Sequence, residues 1–264
     1  MFLSVKHLHL EDVSFRYFSD FAQIINSLRS LQSLVCYNVR WITLGVLPAC
    51  MTQREGRAAA QTSLAPNLEE LLIKSLRING AERLVSALGS CLVKLCISIP
   101  YFDPSEGPLH AHTPTTTTEL GIDLGHCSEL EWLYIGANPT FLSYDGSSDL
   151  VSALLRSWRP KASVADPVVI FFMNDAQAFT RDAFVGVLRA LGRIAEDWFR
   201  DVSGAENVPG VRQSVKVRVY DSEKWRGWWW DHVQACFPTW VRLKRLGVEF
   251  LMPRNEDEIW RDTV

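Results

Sequence analysis

Six times along this 264-residue chain the same short pattern returns: an apolar residue, two variable ones, Leu, one variable residue and a second apolar residue. Val5, Leu8 and Leu10 carry it first, then Leu31, Leu34 and Cys36, and then Leu68, Leu71 and Ile73. Leu92, Leu95 and Ile97, then Leu130, Leu133 and Ile135, and finally Leu243, Leu246 and Val248 repeat it. The Leu-x-apolar alternation has the period of a strand with one buried face. Two further runs, Val168 to Met173 and Val215 to Tyr220, are rich in strand formers without carrying the full pattern.

Helical patterns lie between these strands. Ser19-Asp20 is a start signal followed by Phe21, Ile24, Ile25 and Leu28 on one face. Asn79 precedes Ala81 to Leu88, and Ser148 precedes Leu150, Leu154 and Trp158. Thr180 opens a longer stretch with Phe184, Leu188, Leu191, Ala195 and Trp198, and Ser222 precedes Trp225, Trp229, Val233 and Cys236. A strand–helix alternation of this kind implies parallel strands joined by right-handed crossovers.

Two architectures share that order, a doubly wound sheet and a solenoid. Central strands of a doubly wound sheet are buried on both faces and read as continuous apolar runs. Here most strands alternate, with His, Lys, Glu, Ser or Tyr on the second face. The expected fold is therefore α/β: a right-handed solenoid of leucine-rich-repeat type, with about seven to eight irregular repeats. Its parallel sheet would line the concave face and its helices the convex one. Residues 1–264 read as one such domain, interrupted by insertions near 48–66 and 103–118; the second of these, DPSEGPLHAHTPTTTT, is rich in Pro and Thr.

The segments VKHLHLEDVSF, LRSLQSLVCYNVRW, PNLEELLIKSL and LGIDLGHCSELEWLYIG resemble the leucine-rich-repeat part of F-box-type proteins of mushroom-forming fungi. The resemblance covers residues 1–141, and the rest follows by pattern. It implies a repeat domain that recognises a protein substrate for a ubiquitin ligase. In that family an F-box helix bundle precedes the repeats and docks the ligase adaptor subunit. This sequence opens within the first repeat, so adaptor docking is expected only where such a bundle lies upstream.

If the repeat leucines point into the core, their neighbours point into the concavity. The candidate binding residues are then His7, His9 and Glu11 on the first strand, Tyr37 on the second and Lys74 on the third. Lys94 follows, then Trp132 and Tyr134, then Lys216, Arg218 and Tyr220, and last Arg245. Tyr, Trp and Arg are the side chains most enriched at binding hot spots. Another protein is the expected partner. With 27 basic and 30 acidic residues the chain lacks the footprint of a nucleic-acid binder. No stretch reaches the ~18–20 apolar residues of a membrane span. MFLSVKHLHLEDV places His and acidic residues where the apolar core of a secretory signal would run. An intracellular location, cytoplasmic or nuclear, is expected.

Other local features favour structure over chemistry. In Trp225-Arg226-Gly227-Trp228-Trp229-Trp230, Trp225 and Trp229 share a helix face with Val233 and are expected in the core, while Trp228 and Trp230 point elsewhere. His110 and His112, with Asp123 and His126, have the donor types of a metal site but not its rigidity, and no metal or cofactor is expected. Cys127 beside His126 lacks a third orienting group for a nucleophile. Six cysteines without a C-x-x-C pair suggest free thiols. No G-x-S-x-G, G-x-x-x-x-G-K-[ST], H-E-x-x-H or G-x-G-x-x-G motif occurs, and a non-catalytic protein is expected. Two alternatives stand beside this reading. One is a small doubly wound enzyme, with Val168–Met173 leading to Asn174-Asp175 at a strand's carboxyl end. The other is a fragment without a function of its own.

Overall fold

The computed structural model describes residues 4–43, 64–74, 78–98, 122–137, 139, 147–159, 166–173, 180–204 and 213–252. Apart from residues 64–66, both expected insertions lie outside this set, as do His110, His112, Asn174 and Asp175. The elements follow in chain order: β1 (His7–Glu11), β2 (Ser14–Tyr17), α1 (Phe18–Ser27), β3 (Ser33–Tyr37), β4 (Arg40–Thr43), β5 (Glu70–Lys74), α2 (Ile78–Leu88), β6 (Lys94–Ser98) and β7 (Trp132–Ala137). Then come α3 (Ser147–Ser157), β8 (Val168–Met173), α4 (Arg181–Gly204), β9 (Ser214–Tyr220), α5 (Arg226–Cys236), α6 (Pro238–Arg242) and β10 (Leu246–Leu251).

Eight strands form one parallel sheet in the order β1-β3-β5-β6-β7-β8-β9-β10. Its register is the one the sequence pattern requires. Leu8 sits opposite Leu34, then Leu71, Leu95, Leu133, Val169, Val215 and Leu246 in turn. A second apolar row runs parallel to it, from Leu10 and Cys36 to Val217 and Val248. Because side chains alternate across a strand, both rows lie on one face. Among the described residues strand order never reverses, and no switch point of the kind at which doubly wound folds form their ligand crevice occurs.

Buried side chains from each of the six described α-helices join the core on that same face: Phe21 and Ile25 from α1, Leu84 and Leu88 from α2, and Leu154 from α3. Phe184 and Trp198 from α4, Trp229 from α5 and Trp240 from α6 complete it. Trp198 stacks between Trp158 and Trp240, with ring centroids 5.8 Å apart on each side. The longest helix, α4, crosses α5 so closely that a Cβ on Gly192 would stand 2.2 Å from the carbonyl oxygen of Cys236. That approach explains a glycine inside a helix, where it otherwise costs about 1 kcal/mol relative to Ala. Among the described residues no helix is long and apolar enough to cross a membrane.

Several boundaries differ from the sequence expectation. α1 begins at Phe18, ahead of the Ser19-Asp20 signal, because the Asp20 carboxylate reaches back to accept the Tyr17 N–H at 3.1 Å. Trp225 closes a short 3-10 turn instead of entering α5. β2 and β4 pair as a second, two-stranded parallel sheet. Phe15 and Trp41 from this pair meet Phe18 and Phe21 in a four-ring cluster. Asp12 and Asn38, each just after a strand, have φ of 52° and 49°, and Asn38 Nδ2 donates to Asp12 Oδ1 at 2.5 Å. Asn and Asp tolerate this left-handed conformation better than most residues, so two successive strands end in the same turn.

Candidate functional site

The candidate residues lie on the sheet face opposite the helices. Along one row stand His7, Ser33, Glu70, Lys94, Trp132, Val168 and Ser214. The next row holds His9, Val35, Leu72, Cys96, Tyr134, Ile170 and Lys216. The row after it includes Glu11, Tyr37 and Lys74, and further along Phe172, Arg218 and Glu249. Arg245 precedes β10 and is half-exposed.

This face is not open throughout, contrary to the expected bare sheet. Leu72, Cys96, Ile170 and Phe172 are all at most 2% exposed and form a second apolar cluster with Tyr134, Val168 and Tyr220. All six residues of β8 are buried, as two-sided burial of an apolar run requires. Neighbouring strands rather than helices supply cover above β8. Lys216 reaches from β9 over Ile170 until its Nζ lies 5.5 Å from the Trp132 ring centroid on β7. Arg218 reaches over Phe172 until its Cζ lies 5.5 Å from the Tyr134 ring. β7 and β9 stand about 10 Å apart across β8. Long cationic stems thus shield apolar surface while their charges stay near water, and each head faces an aromatic π-cloud.

Carboxylates close both ends of this arch. On β10, Glu249 accepts Lys216 Nζ at 3.1 Å through Oε1 and Arg218 Nε at 3.0 Å through Oε2. Burial pushes the Glu249 carboxyl up, but the bonds from Arg218 and Lys216 outweigh it and hold the group below its ordinary value. At the β5 end, Lys94 Nζ stands 3.9 Å from Glu70 Oε1 and 5.3 Å from the Tyr134 ring. Burial draws the Lys94 ammonium below its ordinary value, and Glu70 restores only part of the loss. Burial likewise pushes the Tyr134 phenol up. A shallow cavity of about 280 Å³ opens here, lined by Glu69, Glu70, Val93, Lys94, Trp132 and Tyr134.

The candidates therefore fall into separate groups. Lys94, Trp132, Tyr134, Lys216 and Arg218 come together. Tyr37 and Lys74 form a neighbouring pair, with Lys74 Nζ 4.4 Å over the Tyr37 ring and only 7% of that lysine exposed. His7, His9 and Glu11 stand exposed at the β1 edge, where His9 Nε2 lies 3.9 Å from Glu11 Oε2. Tyr220 is buried in the second cluster, a correction to its expected place on a solvated surface. Glu70 and Glu249 also stand on this face, as their second-face positions in the strand alternation predict.

A further constellation joins residues distant in sequence. Asp221, just past β9, takes a two-pronged pair from Arg181 at 2.7 and 3.0 Å, the Trp229 indole N–H at 2.8 Å and the Ser222 N–H at 2.7 Å. Arg181 also lies 3.9 Å over the Trp225 ring. Burial raises the Asp221 carboxyl, but these donors prevail and hold it below its ordinary value. Through Asp221, Arg181 at the start of α4 is tied to Trp229 in the first turn of α5. In the Trp-rich run, Trp229 is buried, Trp228 stacks on His232 at 4.0 Å, and Trp230 is 43% exposed. The Cys127 thiol is fully buried and pushed up to about 12, by burial first and Asp123 second, so it stays protonated. Among the described residues no group of three metal-ligating side chains converges. Comparison of the chain with protein-family models, with curated proteins and with solved structures finds no match.

Proposed function

We propose that this chain is a non-catalytic protein-binding platform of leucine-rich-repeat type, which presents Lys94, Trp132, Tyr134, Lys216 and Arg218 to another protein. One observation carries the reading: side chains from β6, β7 and β9 hold one another in place above β8. Groups already ordered in the free protein lose little conformational freedom on association, which leaves more of their contact energy as affinity. The chain-order sheet, with helices on one side, supports the solenoid reading because such stacks expose one long rigid surface. By the resemblance to F-box-type proteins, the bound protein is a ubiquitin-ligase substrate within the cell, and the adaptor subunit is a second partner where an F-box accompanies the repeats.

The test is quantitative affinity purification with the triple variant Trp132→Ala, Tyr134→Ala, Arg218→Ala. A helix-side control, Arg189→Ala with Arg193→Ala, alters exposed residues of α4. Partners of the wild-type chain should fall about tenfold with the triple variant, as for loss of hot-spot residues, and persist with the control. Unchanged recovery of every partner by a folded triple variant overturns the proposal.

A further inference from the structure

The cavity beside Lys94 is electrically lopsided. Over the Trp132 and Tyr134 rings converge three cations, Lys94, Lys216 and Arg218. Their two carboxylate counterparts stand at the flanks, Glu70 at 3.9 Å from Lys94 and Glu249 in direct contact with Lys216 and Arg218. Glu69 lines the cavity next to Glu70. The β5 side is therefore acidic, and the β7–β9 side carries more positive than negative charge, on a chain whose net charge is −3. The Lys94 and Lys216 side chains keep 18% and 32% of their surface exposed.

We infer that this seat binds a carboxylate-rich segment of the partner protein, anchored by Lys94 and Lys216 above the Trp132 and Tyr134 rings, with Glu249 as the internal carboxylate it displaces. The inference rests on the platform reading and names the chemistry of its partner. Glu249 already shows how a carboxylate engages this site, with one oxygen for Lys216 and the other for Arg218. Successive carboxylates of an incoming segment can each take a charge-assisted bond, one from Lys94 and one from Lys216, while the aromatic rings exclude water from beneath them. Glu69 and Glu70 repel an acidic residue at the β5 end, so the segment must present a neutral or basic residue there, which fixes its direction across the strands. Discrete carboxylates suit this mosaic better than a continuous polyphosphate, which would also meet Glu70 and Glu249.

Fluorescence anisotropy of the full chain with labelled peptides tests the inference. A peptide of alternating Glu and Ser should bind at least about tenfold tighter than its Gln counterpart and weaken as salt rises from about 50 to about 500 mM. Lys94→Gln and Lys216→Gln should each weaken binding about fivefold. Glu249→Gln should strengthen it several-fold, a gain that misfolding cannot produce. Equal binding of the Glu and Gln peptides overturns the inference, and so does a loss with Glu249→Gln. Preference for a phosphoserine peptide of equal charge, or displacement by an RNA oligonucleotide at matched charge, overturns the carboxylate assignment. If the acidic peptide fails while partner recovery still depends on Trp132, Tyr134 and Arg218, this inference falls and the platform reading stands.

Discussion

Gly192 offers a sign test of the helix layer. Replacing it with Ala places a Cβ 2.2 Å from the Cys236 carbonyl oxygen and 2.9 Å from the carbonyl carbon. Carbon–oxygen contacts relax at about 3.3–3.6 Å, so α4 and α5 must separate by roughly 1 Å. The obstacle is backbone, which cannot rotate aside as a side chain would. Overpacking of this kind costs about 3 kcal/mol. Alanine returns about 1 kcal/mol through its better helix propensity. A net loss of about 2 kcal/mol remains, which for a chain of this size lowers Tm by about 4–8 °C. Gly227, exposed in the first turn of α5, is the internal control, because its Cβ would meet nothing within 4 Å. Gly227→Ala should raise Tm by about 1–3 °C through propensity alone. Thermal melts followed by far-UV circular dichroism suffice. If Gly192→Ala raises Tm as Gly227→Ala does, the close crossing of α4 and α5 is wrong.

Two further substitutions probe local chemistry. Asp221→Asn removes the charge that Arg181 and the Trp229 indole share, and should cost about 2 kcal/mol at neutral pH. The folded carboxyl lies below its unfolded value, so its contribution is complete above about pH 4 and disappears as pH falls through the folded value. Denaturant titrations should therefore show wild type and variant converging in acid; a gap constant from neutral pH to about pH 2 would contradict the pairing. Asn38, at a φ of 49°, should tolerate Gly better than Ala in thermal melts, because Ala adds about 1–2 kcal/mol of left-handed strain to the lost bond with Asp12. The reverse ranking would refute the turn geometry.

The leucine pattern made the strand register legible, because an alternating strand has only one way to bury both Leu71 and Ile73. Phe184, Leu188, Leu191 and Trp198 marked the buried face of α4 just as directly. Harder to read was Val168–Met173. Its continuous apolar run pointed to a helix layer on each face, whereas Trp132 and Lys216 from the flanking strands arch over one of them. Amphipathic side chains leave no apolar signature of their own, so such cover is invisible to periodicity. The β2–β4 pair, four residues each, is too short to establish a period. The Asp221 cluster joins positions 40 residues apart, and no local spacing announces such a contact. The alternation places Glu249 on the open face, but its pairing arises only when β10 is laid beside β9 in register with Arg218.

The crowding of indoles in one half of the molecule decides what spectroscopy can see. Every one of the ten tryptophans except Trp41 lies at or beyond residue 132, and three of them form the stack through Trp198. Intrinsic emission is thus a reporter of the later strands and helices. An early segment from β1 to β6 that came apart first would register only through Trp41 and, at its border, Trp132, so a denaturation curve drawn from emission alone describes chiefly the later half of the protein.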